Sequence, residues 1–145
     1  MTAPLLSIEA LCVGFPHRLG DFVAVDGFTM DLNKGEIVGL IGESGAGKST
    51  VGNAVIGLLS HPGRITAGRI VLQDQDLAAL SAKQMEVLRG RRIGMIFQDP
   101  MTSLNPLMTV GAQLAESISI LQNKSLSEAR IEAAKRLGDV GIPDA

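Results

Sequence analysis

Few residues in this sequence are aromatic, and charge of neither sign dominates. Tryptophan and tyrosine are absent, aromatic residues make up 3% of the 145 residues, and the formal net charge is −2. Proteins that bind single-stranded nucleic acid stack bases on aromatic rings and hold the backbone in a basic groove. The composition therefore argues against nucleic acid as a partner.

Cysteine and long apolar runs are also scarce. Cys12 is the single cysteine, which excludes an internal disulfide and favours a reducing compartment; we expect it to be a small apolar residue of a strand. No segment approaches the roughly 18 apolar residues of a membrane span. The first ten residues lack the basic and apolar regions of a signal peptide. We therefore expect a protein that could serve a membrane only from its surface.

The rest of the composition is typical of a folded domain. Hydrophobic residues make up 46% of the chain, enough for a buried core. Nearly continuous apolar runs at residues 37–41 and 93–97 are typical of strands covered on both faces, as in a parallel α/β sheet. Periodicity and turn signals predict strands at 5–13, 22–32, 37–41, 68–72 and 93–97, turns at 33–36 and 73–76, and a loop at 98–108. Helices are predicted at 48–59, 81–90, 110–121 and 125–140. Ser81 is the expected N-cap of the second helix, a capping box of Ser125 and Glu128 opens the fourth, and Gly141 ends it.

A glycine-rich loop lies between the predicted strand at 37–41 and the helix at 48–59. Residues 42–49 read Gly-Glu-Ser-Gly-Ala-Gly-Lys-Ser and fit G-x-x-x-x-G-K-S/T at every fixed position. Glycines let successive N–H groups surround an anion, and the helix presents its positive end. Lys48 can reach the β- and γ-phosphates, and the Ser49 hydroxyl can ligate Mg²⁺. We predict that nucleotide phosphates are bound by Gly42, Ser44, Gly45, Ala46, Gly47, Lys48, Ser49 and Thr50.

This phosphate-binding loop alone leaves GTPases, small-molecule kinases, helicases and transport ATPases open. A GTPase would also need D-x-x-G and N-K-x-D motifs. No aspartate has glycine at the third position after it, and Asn123-Lys124 is followed by Ser125 and Leu126. The GTPase hypothesis is less favoured but stays open.

A second segment narrows the choice among these protein families. The run at 97–106, Phe-Gln-Asp-Pro-Met-Thr-Ser-Leu-Asn-Pro, together with residues 42–50, resembles the ATPase subunits of ABC transporters. The likeness is to the dipeptide, oligopeptide and nickel importer group, and it extends over nearly the whole chain, including residues 24–27 and 141–143.

The resemblance implies an α/β fold with a P-loop NTPase core of the ABC ATPase type. The expected layout is a small antiparallel β-subdomain with the P-loop core at 1–97, followed by the Q-loop and the start of a helical subdomain at 98–145. The cofactors implied are ATP and Mg²⁺, with Ser49 and Gln98 on the metal. Gln98 matches the Q-loop glutamine, which in the family lies near the attacking water and links the site to membrane subunits. Phe15 matches the aromatic residue, commonly tyrosine, that stacks on adenine.

The implied function is ATP hydrolysis that powers import of di- or oligopeptides at the cytoplasmic face of a bacterial membrane. The implied partners are transmembrane permease subunits, a second ATPase subunit and, indirectly, a solute-binding protein outside the membrane. Residues 107–145 contain neither the signature motif nor the Asp-Glu strand end and later histidine of the family. We therefore expect a fragment or a truncated product that cannot complete hydrolysis alone. A nucleotide-binding module without turnover and a non-transport ABC ATPase stay open as alternatives.

Other polar and sulfur-containing residues have less specific interpretations. We expect the two histidines to lie at the surface, the methionines to fill core or interface positions, and the arginine cluster to be solvated. These residues are His17 and His61; Met85, Met95, Met101 and Met108; and Arg89, Arg91 and Arg92.

Overall fold

The structure is a computed structural model that describes residues 3–18, 20–99 and 103–142. The chain divides into two compact units, Met1–Ile93 and Gly94–Ala145; a domain boundary between residues 97 and 98 stays a prediction. The elements are β1 (Leu6–Phe15), β2 (Phe22–Leu32), α1 (Lys48–Val55), β3 (Arg64–Leu72), β4 (Gln75–Asp76), α2 (Ala82–Leu88), α3 (Val110–Gln122) and α4 (Leu126–Asp139).

The first unit is built on a four-stranded antiparallel sheet in the order β2-β1-β3-β4. Side chains alternate between the two faces of a strand, but the register of β1 shifts between Ile8 and Leu11, where Ala10 has a φ of 45°. This irregularity brings Leu11 and Val13 to the same face as Ile8, and the three side chains are fully buried there with a residue of β3. This buried face is formed by Ile8, Leu11, Val13 and Ile70. The strands predicted at 5–13, 22–32 and 68–72 are confirmed, with β1 running on to Phe15 and β3 beginning at Arg64.

Helix α1 covers the buried face of the sheet through Val51 and Ala54. It is shorter than predicted, because the chain leaves the helix near Gly57, which has a φ of 64°. The half-buried Arg89 donates from Nε to the Ile56 carbonyl and from Nη2 to the Gly57 carbonyl, both at 2.8 Å. A guanidinium here satisfies carbonyls at the helix end and complements the helix dipole. The expectation that Arg89 is only a solvated charge is therefore wrong.

Helix α2 begins where the sequence predicts. Ser81 is its N-cap, in a capping box with Gln84, and Met85 is buried in the core of the first unit, as expected for a core methionine. The helix ends at Leu88, just before Gly90.

Two apolar segments predicted as strands, 37–41 and 93–97, do not form strands in the structure. Apart from one bridge between Ile93 and Arg89, the described residues there join no ladder. Ile37, Ile41 and Ile96 are 98%, 95% and 94% exposed. A strand needs partners for its N–H and C=O groups, and every paired strand in the described part of the chain belongs to the antiparallel sheet. Their apolar composition fits a covered sheet, but these residues have no partner strand among the described ones.

The second unit contains a hairpin of helices α3 and α4. The helices predicted at 110–121 and 125–140 are confirmed, with small shifts at their ends. Ala115, Ala129 and Ala133 are buried between the helices, and their small side chains let the two backbones approach closely. The capping box of Ser125 and Glu128 opens α4 as predicted.

Candidate functional site

The glycine-rich loop at 42–49 curls tightly before α1. The Ala46 N–H donates to the Glu43 carbonyl at 3.2 Å, and the Val51 N–H donates to the Gly47 carbonyl at 2.9 Å, which starts the helix. Gly47 is the N-cap residue, with a φ of 81° in the left-handed region, where a side chain is strained. The local sequence therefore specifies a loop that turns sharply into a helix.

Gly47 is also in close contact with strand β2. A Cβ at this position would lie 2.5 Å from the Ala24 carbonyl oxygen and 3.2 Å from Cγ2 of Val25. Only a residue without a side chain fits at this contact, so the sheet fixes the position of the loop. The motif predicted a tight loop, but the contact with Ala24 joins positions far apart in sequence and has no sequence signal of its own.

Lys48 folds back over the loop. Its Nζ donates to the carbonyl oxygens of Gly42 at 2.8 Å and Glu43 at 2.6 Å, and the residue is half-buried. Among the described residues no carboxylate pairs with this ammonium group. Within the described part of the chain, the partners of this charge are therefore backbone carbonyl dipoles of the loop.

The N-terminus of α1 has no side-chain cap and no acidic residue in its first turn. The first N–H groups of a helix lack partners within it and carry a partial positive charge. Ser49 is exposed and Thr50 half-exposed in this turn, so both hydroxyls lie beside these N–H groups. The arrangement gathers backbone donors, two hydroxyls and one ammonium group, which is a chemistry suited to a polyanion.

A cavity of about 300 Å³ lies between β2 and the glycine-rich loop. Its wall includes Asp26 and Phe28 from β2, Leu40 from the segment before the loop, and Lys48. The sequence marked residues 24–27 as part of a resemblance without giving them a role.

Phe15 lies at the end of β1, opposite Phe22 of β2. It is half-buried and packs against the core that also holds α1. Along β2, Phe22 is two positions from Ala24, where the glycine-rich loop rests, which corresponds to about 7 Å of strand. Phe15 and the loop thus lie at neighbouring points of the same sheet, although the role of the ring stays a prediction.

Gln98 is an exposed residue in a bend of the second unit. Its role in a nucleotide site stays a prediction. The loop that follows is held by Gln113, whose Oε1 accepts from the Asn105 N–H at 2.9 Å and whose Nε2 donates to the Asn105 carbonyl at 3.0 Å. Sequence reasoning missed Gln113, because an amide inside an amphipathic helix gives no signal of its loop partner. Residues 100–102 of the predicted loop lie outside the described residues.

The remaining candidates have mixed outcomes. His17 and His61 are exposed, as expected, and Cys12 lies in β1, where its Sγ accepts from the Gly27 N–H at 3.3 Å. Met95 and Met108 are more than a third exposed, Met101 lies outside the described residues, and Arg92 donates to the Gln73 side chain.

Within 3–18, 20–99 and 103–142 no three His, Cys, Asp or Glu side chains converge as a metal site. The described helices include none that could cross a membrane.

Comparison with known proteins decides the family. The sequence profile described as ABC transporter matches residues 25–145, from within β2 to the end of the chain. The chain belongs to the ABC transporter family. The glycine-rich loop, the segment containing Gln98, and helices α3 and α4 fall within the match.

Several relatives from this family are ATP-binding proteins of peptide transport. The dipeptide transport ATP-binding protein DppD of Escherichia coli strain K12 is 44% identical over 140 residues, and DppD of Bacillus subtilis strain 168 is 45% identical over 141 residues. The oligopeptide transport ATP-binding protein AmiE of Streptococcus pneumoniae is 43% identical over 142 residues. Each alignment covers 97% of this chain but only 40% to 43% of the relative. The chain therefore spans less than half the length of these relatives.

Solved ABC cassettes share the fold. The dimeric post-hydrolysis state of the ATP-binding cassette MJ0796, bound to ADP and Pi, matches with a TM-score of 0.78 at 22% identity, over 92% of this chain and 56% of that one. CbiO1 from Clostridium perfringens, part of the ABC transporter complex cbiONQ, matches with a TM-score of 0.66 at 23% identity, over 98% of this chain and 52% of that one. These likenesses confirm the predicted fold class, an ABC-type P-loop NTPase.

Proposed function

We propose that this chain is the ATP-binding part of an ATPase that powers the import of di- or oligopeptides. The observation that carries the proposal is the geometry of the glycine-rich loop, where the Lys48 ammonium group folds back over the loop that leads into the uncapped N-terminus of α1. Members of the ABC transporter family bind nucleotide, which supports ATP as the ligand of this loop. Gly42, Ser44, Gly45, Ala46, Gly47 and Thr50 would surround the phosphates.

The residues present fit a nucleoside triphosphate with Mg²⁺. Among the described residues the Lys48 ammonium group has carbonyl oxygens and no carboxylate as partners, so it can exchange these contacts for phosphate oxygens without breaking an ion pair. The exposed Ser49 hydroxyl would be a metal ligand, and Mg²⁺ would neutralise charge on the β- and γ-phosphates. Phe15 would stack on the base, and Gln98 would add an amide near the metal and the attacking water.

The relatives support a proposal for the cargo and the partners. DppD and AmiE are named for dipeptide and oligopeptide transport, which supports peptides as the cargo here. Such a function needs permease subunits in the membrane and a solute-binding protein outside it. A second ATPase subunit is supported by the dimeric state of MJ0796. The chain would act at the cytoplasmic face of the membrane as a peripheral subunit.

Titration of the complete gene product with ATP and Mg²⁺ tests the proposal. Lys48→Ala should lower the affinity at least 10-fold, because charged hydrogen bonds to phosphate each contribute about 1.5–3 kcal/mol. Lys34→Ala, at an exposed lysine in the turn after β2, is the matched control and should bind as the wild type does. Equal affinities for all three proteins would contradict phosphate binding at this loop.

A further inference from the structure

The aromatic ring of Phe15 lies against a residue without a side chain. A Cβ at Gly63 would lie 2.5 Å from Cε1 and 2.8 Å from Cζ of Phe15, and 2.9 Å from the Ser60 carbonyl oxygen. Ordinary contact between carbon atoms begins at about 3.5 Å. With any side chain at position 63, the ring or the turn would therefore have to move by about 1 Å.

The backbone of Gly63 does not itself require glycine. Its φ lies outside the left-handed region that other glycines of the chain occupy, so an alanine could adopt the same conformation. Gly63 lies in a turn closed by its N–H donating to the Ser60 carbonyl at 2.7 Å. What excludes a side chain is the close contact with the ring and the turn.

This contact fixes Phe15 where three strands meet. Phe15 ends β1 opposite Phe22, which begins β2, while Gly63 directly precedes Arg64, the first residue of β3. Arg64 forms an ion pair with Asp21, before β2, at 2.8 Å. The turn at Gly63 is thus tied to the same end of the sheet as the ring.

We propose that Gly63 is a positioning residue for the base of the bound nucleotide: because it has no side chain, the Phe15 ring settles over the turn at residues 60–63 and presents its free side for stacking. The inference rests on the proposed function, since it assumes that Phe15 meets the base. It adds a second residue, from a turn far away in sequence, that sets the orientation of the ring.

Two ligands separate base recognition from phosphate recognition. Inorganic tripolyphosphate has the phosphate chain of ATP without the base, so the ratio of the two affinities reports the contribution of Phe15. In the complete gene product, Phe15→Ala should lower ATP affinity about 5- to 150-fold, the range for loss of a base–aromatic stack, and leave tripolyphosphate affinity unchanged. Gly63→Ala should give the same pattern with a loss of about 3-fold or more.

The double variant tests whether Gly63 acts through the ring. In the Phe15→Ala background, Gly63→Ala should cause no further loss of ATP affinity, because residues that act as one unit are not additive. Gly138→Ala, at a glycine with no atom within 4 Å of an added Cβ, should leave both affinities unchanged. Additive losses, an equal loss for both ligands, or unchanged ATP affinity in Gly63→Ala would overturn the inference.

Two further outcomes keep the test informative. If Lys48→Ala leaves both ligands bound as tightly as in the wild type, the proposed function fails, whatever position 63 does. If Gly63→Ala does not fold, Phe15→Leu should restore its folding, because leucine lacks the two ring atoms that the added Cβ would meet. Failure of that rescue would show that the contact with the Ser60 carbonyl oxygen in the turn, and not the ring contact, requires glycine at position 63, and it would overturn the inference.

Discussion

Helices α1 and α4 differ in whether a side chain caps the first N–H groups at the N-terminus. On α4, the Ser125 hydroxyl accepts from the Glu128 N–H, and the Glu128 carboxylate accepts from the Ser125 N–H at 3.0 Å. On α1, the cap residue is Gly47, with no capping side chain and no acidic residue in the first turn. A capped N-terminus stabilises its own helix, whereas the open one leaves donors for a ligand. From this difference we infer that the start of α1, rather than that of α4, accepts an anion.

The largest expected effect comes from placing a side chain at the cap of α1. Gly47→Ala combines a positive φ with a Cβ 2.5 Å from the Ala24 carbonyl oxygen, so the free energy of unfolding should fall by about 3 kcal/mol or more. Gly45→Ala is the matched variant, because Gly45 has a φ of 84° but open space around it; it should cost about 1–2 kcal/mol. Urea denaturation measures both, and equal losses would show that contact with β2 is unimportant.

A carboxylate in the first turn should separate stability from binding. Ser49 and Ser127 occupy the same position, the second residue of α1 and of α4. Ser49→Asp and Ser127→Asp should each stabilise their helix by about 0.3–1 kcal/mol, because a negative charge complements the helix dipole. Only Ser49→Asp should weaken ATP binding, by at least about 10-fold, since like charges repel at close range. Retained ATP affinity in Ser49→Asp would contradict an anion site at α1.

Removal of the α4 cap should have the smallest effect. Ser125→Ala should lower the free energy of unfolding by about 1 kcal/mol and leave ATP affinity unchanged. In the wild type, hydrogen bonds from Ser125 lower the pKa of Glu128 below its ordinary value. The carboxylate therefore stabilises the fold above the ordinary glutamate pKa of about 4.3, and this contribution is lost as the pH falls further.

The pH dependence of unfolding checks this cap. Ser125→Ala removes the hydrogen bond from the hydroxyl to the Glu128 carboxylate and keeps the one from the backbone N–H. Because the hydroxyl is the larger cause of the lowered Glu128 pKa, the variant should lose less stability than the wild type between neutral and acid pH. Parallel pH profiles for the two proteins would contradict the assigned cause of the shift in the Glu128 pKa.

The local features of this molecule could be predicted from its sequence. The glycine-rich loop and the caps at Ser81 and Ser125 depend on residues a few positions apart, so their patterns are visible in the chain. The three long strands of the antiparallel sheet were also predictable from their apolar residues and the turns beside them. The buried face of β1 was not, because the register shifts between Ile8 and Leu11 and interrupts the alternation.

Features set by distant contacts were not predictable. Three contacts each join residues far apart in sequence: Gly47 with Ala24, the Arg89 side chain with the end of α1, and Gly63 with Phe15. The strand predictions at 37–41 and 93–97 were wrong for a related reason. Apolar composition indicates a strand that would be covered, but strand formation needs a neighbouring strand, and composition does not supply one.

Amide chemical shifts of the labelled protein, recorded with added tripolyphosphate, test the central claim most directly. The account predicts that the largest shifts fall on the N–H groups from Gly45 to Thr50, with little change at residues 126–128 of the capped helix α4, and that Lys48→Ala reduces the response. Shifts spread over other residues, with the loop and the first turn of α1 unchanged, would contradict a phosphate site at the start of α1.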